Sequence, residues 1–183
     1  MKKVLSALLF CLLAFICTAQ TDVPSCLFYG YVEEGQFVDE SVSKRKKEKE
    51  PQKLSEVKIF IYVGDQLQSE QLARETGFYA LLLGAGQKYR VVFEKDGYFC
   101  KCFELDCREV NFPSNDAALK CLADVSLFKK VEDDNLLNLC KYPFARCAYN
   151  TSDREMVWDM EYTERTKQKF YQLAQPYYLA EKK

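Results

Sequence analysis

Residues 76–98 constrain the fold more than any other stretch. Tyr79, Leu81 and Leu83 alternate with their neighbours. After Gly84-Ala85-Gly86 the alternation resumes at Tyr89, Val91 and Phe93, with Lys88, Arg90 and Glu94 on the opposite face. Side chains two apart on a strand share a face, so each run predicts a strand with one buried side. Two such runs joined by a short glycine-containing connection predict an antiparallel hairpin. Asp96-Gly97 supplies the next turn. Gly84-Ala85-Gly86 also resembles a fragment of a phosphate loop, but it joins two strands and opens no helix, so a turn is the better reading.

The same alternation recurs along the chain. Residues 26–32 have strand composition, and Glu33-Glu34-Gly35 turns the chain. Residues 57–63 put Val57, Ile59, Ile61 and Val63 on one face and Phe60 and Tyr62 on the other. Gly64-Asp65 makes a turn, and residues 67–75 read as a weaker strand or edge element. Residues 99–105 form a further strand, 108–117 a loop and 119–128 the last strand, with Ala123, Val125 and Leu127 on one face. Strands at short spacing with no helices between them argue for an antiparallel sandwich over a parallel α/β sheet. The 13 Phe and 12 Tyr fit that reading, since aromatic residues favour half-buried pleated surfaces.

The N-terminus bears on compartment. Lys2 and Lys3 precede an almost unbroken apolar run over residues 4–17, long enough for a signal peptide and short for a membrane span. Cys17-Thr18-Ala19 fits the small-x-small preference, so cleavage is expected after Ala19, leaving residues 20–183. Bulky residues before Cys11 and Cys17 argue against lipid acylation. No later segment is apolar enough to cross a membrane. The net charge of −1, from 26 basic and 27 acidic residues, argues against nucleic acid as a partner. Residues 39–53 lack apolar periodicity and include a basic run at 44–53. They read as a solvated loop inserted after the first strand, or alternatively as a contact for an anionic surface, although Glu48 and Glu50 dilute the charge.

Of nine cysteines, Cys11 and Cys17 leave with the signal. Cys26, Cys100, Cys102, Cys107, Cys121, Cys140 and Cys147 remain. An exported chain can form disulfides, and an odd number leaves at least one thiol over or pairs it between chains. The alternative is that several are small buried hydrophobes. Sequence leaves the connectivity open.

After Lys130 the character shifts. Residues 131–134 are acidic and 142–149 look extended. Thr163, Thr166, Phe170, Leu173, Ala174 and Tyr177 fall at helical spacing, predicting an amphipathic helix over 160–174 that Pro176 ends and that packs on its own domain. The expected organisation is a signal peptide at 1–19, a β-sandwich domain at 20–130 and a C-terminal extension with one helix at 131–183.

Leu54-Ser-Glu-Val-Lys-Ile-Phe-Ile-Tyr62, Glu75-Thr-Gly-Phe-Tyr-Ala-Leu-Leu-Leu83 and Tyr89-Arg-Val-Val-Phe-Glu-Lys-Asp-Gly-Tyr98 resemble the strands and turns of the carboxypeptidase regulatory-like domain. The resemblance covers residues 27–128. Residues 145–150 and 157–163 are similar to segments that follow this domain in some small exported proteins of Gram-negative bacteria. The resemblance implies a seven-stranded, antiparallel, transthyretin-like or Ig-like sandwich serving as an accessory module without catalysis. Two departures stand out: Ala73-Arg74 replaces the usual Thr-Asp before the turn, and the basic insert is unusual.

The chain has no His, which removes Ser-His-Asp and Cys-His catalysis and every His-containing zinc site. Cys100-Lys101-Cys102 could in principle activate a thiol. On a strand, however, Lys101 points away from both cysteines. A four-cysteine zinc site lacks paired CxxC motifs. The carboxylate pairs Asp133-Asp134 and Asp159-Glu161 suggest neither a glycosidase dyad nor a calcium loop. Asn150-Thr151-Ser152 is a glycosylation sequon, meaningful only in a eukaryotic secretory route. No catalytic, cofactor-binding or metal-ligating residue is assigned. The expectation is an exported, non-enzymatic envelope module that contacts another envelope protein. The alternative is a carbohydrate-binding module using Tyr29, Tyr31, Tyr62 or Trp158 as stacking platforms.

Overall fold

The computed structural model describes residues 25–36, 50–110, 118–139 and 141–180. The leader at 1–19, most of the basic insert and Cys140 lie outside them. The described chain forms β1 (Ser25–Glu34), β2 (Lys58–Val63), β3 (Gln66–Leu72), β4 (Phe78–Gly84), β5 (Lys88–Glu94), β6 (Lys101–Asp106), β7 (Leu119–Leu122), β8 (Val125–Leu127), α1 (Asp134–Leu139), β9 (Ala145–Asn150), β10 (Glu155–Trp158) and α2 (Met160–Ala180).

Two sheets enclose one core. In the smaller, β1 lies between β4 and β7, and β8 also pairs with β1 further along; the larger has the order β10-β9-β6-β5-β2-β3. The mainly-β sandwich with a C-terminal helix stands as expected. The pairing is mixed rather than purely antiparallel: β7 and β8 run parallel to β1, and β9 runs parallel to β6. Among the described residues ten strands replace the expected seven, in part because the tail beyond Lys130 contributes β9 and β10 to the larger sheet.

The predicted hairpin over residues 76–98 does not form. β4 pairs with β1, whereas β5 lies between β2 and β6 in the other sheet. The connection at 84–87 therefore carries the chain across the sandwich. The physical reason is that alternation states which face is buried, not which strand lies alongside. Tyr79, Leu81 and Leu83 meet the core from one sheet, and Tyr89, Val91 and Phe93 meet it from the other. The tight hairpin is instead β2–β3, closed at Gly64, whose φ of +58° lies in the left-handed region that favours glycine.

The expected single strand over 119–128 is broken into β7 and β8. At the break, the Ala123 amide donates to the Tyr29 carbonyl at 2.9 Å, and the Tyr31 amide donates to Asp124 Oδ1 at 2.9 Å. The backbones come so close that a Cβ on Gly30 would sit 2.0 Å from the Ala123 carbonyl oxygen. The side chain of Asp124 thus substitutes for a ladder carbonyl.

Phe28 lies at the core's centre, with ring contacts to Tyr79 at 5.4 Å, Phe103 at 5.9 Å, Trp158 at 6.3 Å and Phe93 at 6.4 Å. A second apolar cluster closes one end, where Phe170 and Ala174 of α2 pack with Phe99, Phe128 and Leu136. The helix thus packs on its own domain. It continues through Pro176 to Ala180 rather than stopping there.

Candidate functional site: an open apolar sheet face

On β1, Cys26, Phe28 and Val32 point inward, so Leu27, Tyr29 and Tyr31 point outward. On β4 the outward positions are Phe78, Ala80 and Leu82, and on β7 they are Lys120 and Leu122. The register sets them side by side: Leu27 opposite Leu82, Tyr29 opposite both Ala80 and Leu122, and Tyr31 opposite Phe78. Lys120 is the one charged side chain within this grid. Leu82 is 68% exposed and Leu122 58%. A sheet with one face on the core ordinarily turns polar residues outward, and a contiguous exposed apolar patch marks a contact site.

Cations border the patch. Lys53 Nζ lies 4.7 Å from the Tyr31 ring centroid, and the Arg74 guanidinium lies 5.2 Å from that of Phe78. Lys53 also pairs with Glu33 at 3.0 Å. Tyr31 and Phe78 meet edge to face, 5.5 Å between centroids and 65° between planes. The face offers an apolar centre with a basic border. It has the chemistry of a docking surface, complementary to an apolar patch rimmed with acids.

Of the four aromatic residues singled out as stacking platforms, the structure brings Tyr29 and Tyr31 together on this face. Tyr62 lies on the outer face of the other sheet, beneath the Arg90 guanidinium at 4.3 Å. Trp158 packs into the core against Phe28 and Phe103. Phe78, Leu82 and Leu122 were not anticipated. The apolar run at residues 78–83 made both faces of that strand apolar, but only the register sets Leu82 and Leu122 beside Leu27 and Tyr29.

The remaining candidates resolve into structural roles. Lys101 sits at the closed end of the sandwich, where Nζ donates to the Ser126 carbonyl at 3.0 Å and lies 3.8 Å from the Phe144 ring centroid. Burial, reinforced by Lys167 and opposed by Glu33, pushes its amine down to about 7. The adjoining cavity is about 20 Å³, room for one water and not for a substrate. Cys102 lies on the opposite face of the strand, and burial pushes its thiol up to about 12, away from reactivity. The group in this tripeptide whose titration moves toward neutral pH is therefore the lysine.

The carboxylates cap helices. Asp133 accepts the amides of Asn135 and Leu136 at the start of α1, and its carboxyl is held low first by the Tyr177 hydroxyl at 2.7 Å. Asp159 accepts the Tyr162 amide at 2.9 Å and so caps α2. Asn150 closes the β9–β10 turn by accepting the Ser152 amide. Among the described residues, no group of three or more His, Cys, Asp or Glu is arranged to hold a metal ion.

No family model matches the chain, and no curated protein matches it. Among solved structures, the chain is similar to 3-chlorocatechol 1,2-dioxygenase from Rhodococcus opacus, with 12% identity and a TM-score of 0.37 over 61% of this chain and 62% of that one.

Proposed function

We propose that this chain is an exported, non-enzymatic accessory module of the cell envelope, built on a carboxypeptidase regulatory-like sandwich. It docks an envelope protein on the outer face of its four-stranded sheet. The observation that carries the reading is that face: Leu27, Tyr29, Tyr31, Phe78, Leu82 and Leu122 form one apolar surface that contains Lys120 and is bordered by Lys53 and Arg74. The leader composition at residues 1–19 supports export, and the motifs around residues 54–98 support the module type. The partner's matching surface is apolar with an acidic rim.

A photo-crosslinker at Leu82 tests this in envelope extracts. The expected result is one reproducible adduct that is lost in the Leu82→Lys, Leu122→Lys double variant. No reproducible adduct, or equal capture by the double variant, overturns the reading. A carbohydrate-binding role draws support from the adjacent Tyr29, Tyr31 and Phe78 rings. The edge-to-face setting of Tyr31 and Phe78 is a poor flat platform, however, so a glycan array is expected to return no binding.

A further inference from the structure

Four cysteines of unassigned role meet inside the core. Cys26 of β1 and Cys121 of β7 point inward from the smaller sheet; Cys107, just after β6, and Cys147 of β9 point inward from the larger. Cys121 Sγ and Cys147 Sγ lie 3.6 Å apart. Cys26 and Cys107 face the same core from opposite sheets, and Cys26 is the leading influence that raises the Cys107 thiol. Each of these pairs takes one cysteine from each sheet, and all four residues are at most 3% exposed.

We propose that the exported protein carries two inter-sheet disulfides, Cys26–Cys107 and Cys121–Cys147. The geometry chooses this pairing over its rivals. Within the smaller sheet, Cys26 is opposite Leu119 and Phe28 is opposite Cys121, so Cys26 and Cys121 are only diagonal neighbours. Within the larger, Leu105 is opposite Cys147, which leaves Cys107 two residues beyond it. Diagonal neighbours on adjacent strands stand roughly 7–8 Å apart, beyond the usual disulfide span. Bonding Cys121 to Cys147 needs about 1.5 Å of further approach, shared by two side chains.

Each bond forms by exchange with an oxidised dithiol carrier or a small-molecule disulfide. One cysteine thiolate attacks the carrier's S–S bond, giving a mixed disulfide and one carrier thiol. The second cysteine thiolate then displaces the other carrier sulfur. Two cysteine thiols lose two electrons and two protons, and the carrier is reduced to its dithiol. The facing cysteine and burial raise the Cys107 and Cys121 thiols well above their ordinary range. Exchange therefore belongs to folding, before the core closes, and the finished bonds are shielded from reductant.

The proposal rests on the export reading only for its oxidant, and the experiment separates the two. The full chain is produced once through an oxidising export route and once in a reducing cytosol, the second sample being denatured and refolded in a glutathione redox buffer. Both are alkylated in denaturant and mapped by mass spectrometry without reduction. The expected result in the refolded sample is two linked peptide pairs, 26 with 107 and 121 with 147. Alkylation of these four cysteines, or any other pairing among them, overturns the proposal. Correct pairs on refolding, with none in the export-route sample, would sink the export reading and leave the pairing supported. Reductant is also expected to lower the Tm of the paired protein by about 10 °C or more. In Cys121→Ala, Cys147→Ala protein, roughly half of that sensitivity should remain; an unchanged response counts against the second bridge.

Discussion

The outer faces of the two sheets differ although their inner faces obey one rule. On the larger sheet, apolar exposure is confined to Leu67, Leu72 and Val157 of the two edge strands, and the central outward positions are charged or shielded. Lys88 and Arg146 both pair with Glu104, at 3.0 and 3.6 Å, Arg90 covers Tyr62, and Arg146 stacks on Tyr162 of α2 at 4.0 Å. The end of that sheet is sealed by Phe170 against Phe99, Phe128 and Phe144. On the smaller sheet the outward grid is apolar and uncovered among the described residues. Apolar surface left in water gains nothing from the fold, so its stabilisation is available to a partner. The larger face spends its chemistry on stability; the smaller one leaves its apolar grid exposed, as the proposed docking role requires.

That contrast can be broken at both faces. Phe170→Ala removes the ring that seals the closed end, so a loss of about 3–5 kcal/mol is expected in chemical denaturation. A loss below about 1 kcal/mol would mean that α2 is not part of the sandwich's stability. Gly30→Ala forces a Cβ against the Ala123 carbonyl and should cost about 1–3 kcal/mol by pushing β1 from the β7–β8 break. Wild-type stability in that variant would refute the close approach.

Lys101→Met probes the sealed end through pH. The folded amine titrates at about 7, against an unfolded value of 10.5, so the native state binds fewer protons between those limits. Wild-type stability therefore rises with pH from about 7 toward 10.5, and the penalty of the buried amine is complete below 7. The variant should be about 1–2 kcal/mol more stable at pH 6, with the advantage shrinking across that window. A pH-independent difference would show that the ammonium is not desolvated. The smallest expected effect lies on the open face. Leu82→Lys should change stability by no more than about 0.5 kcal/mol while weakening partner capture. A large destabilisation there would mean that Leu82 belongs to the core.

Much of this was legible locally. Strand faces followed from alternation at Ile59 and Ile61, at Leu81 and Leu83, and at Val91 and Phe93. The stripe of α2 followed from Phe170 and Ala174. The caps were also readable, since Asp133 and Asp159 directly precede helices, yet they stood out first as carboxylate pairs. A third of the candidate face was visible as Tyr29 and Tyr31. The rest needed the register that places Leu82 and Leu122 beside them.

The sequence by itself determined which side chains are buried and where the chain turns, because alternation and turn chemistry act within a few residues. Tertiary structure alone decided that β4 and β5 part into different sheets and that β9 joins β6. It also decided that Lys101 is enclosed by Phe128 and Phe144, and that Cys121 meets Cys147. These are contacts between residues far apart along the chain. A two-residue period is the same whichever strand lies alongside, so only the packing of the whole core could select among them.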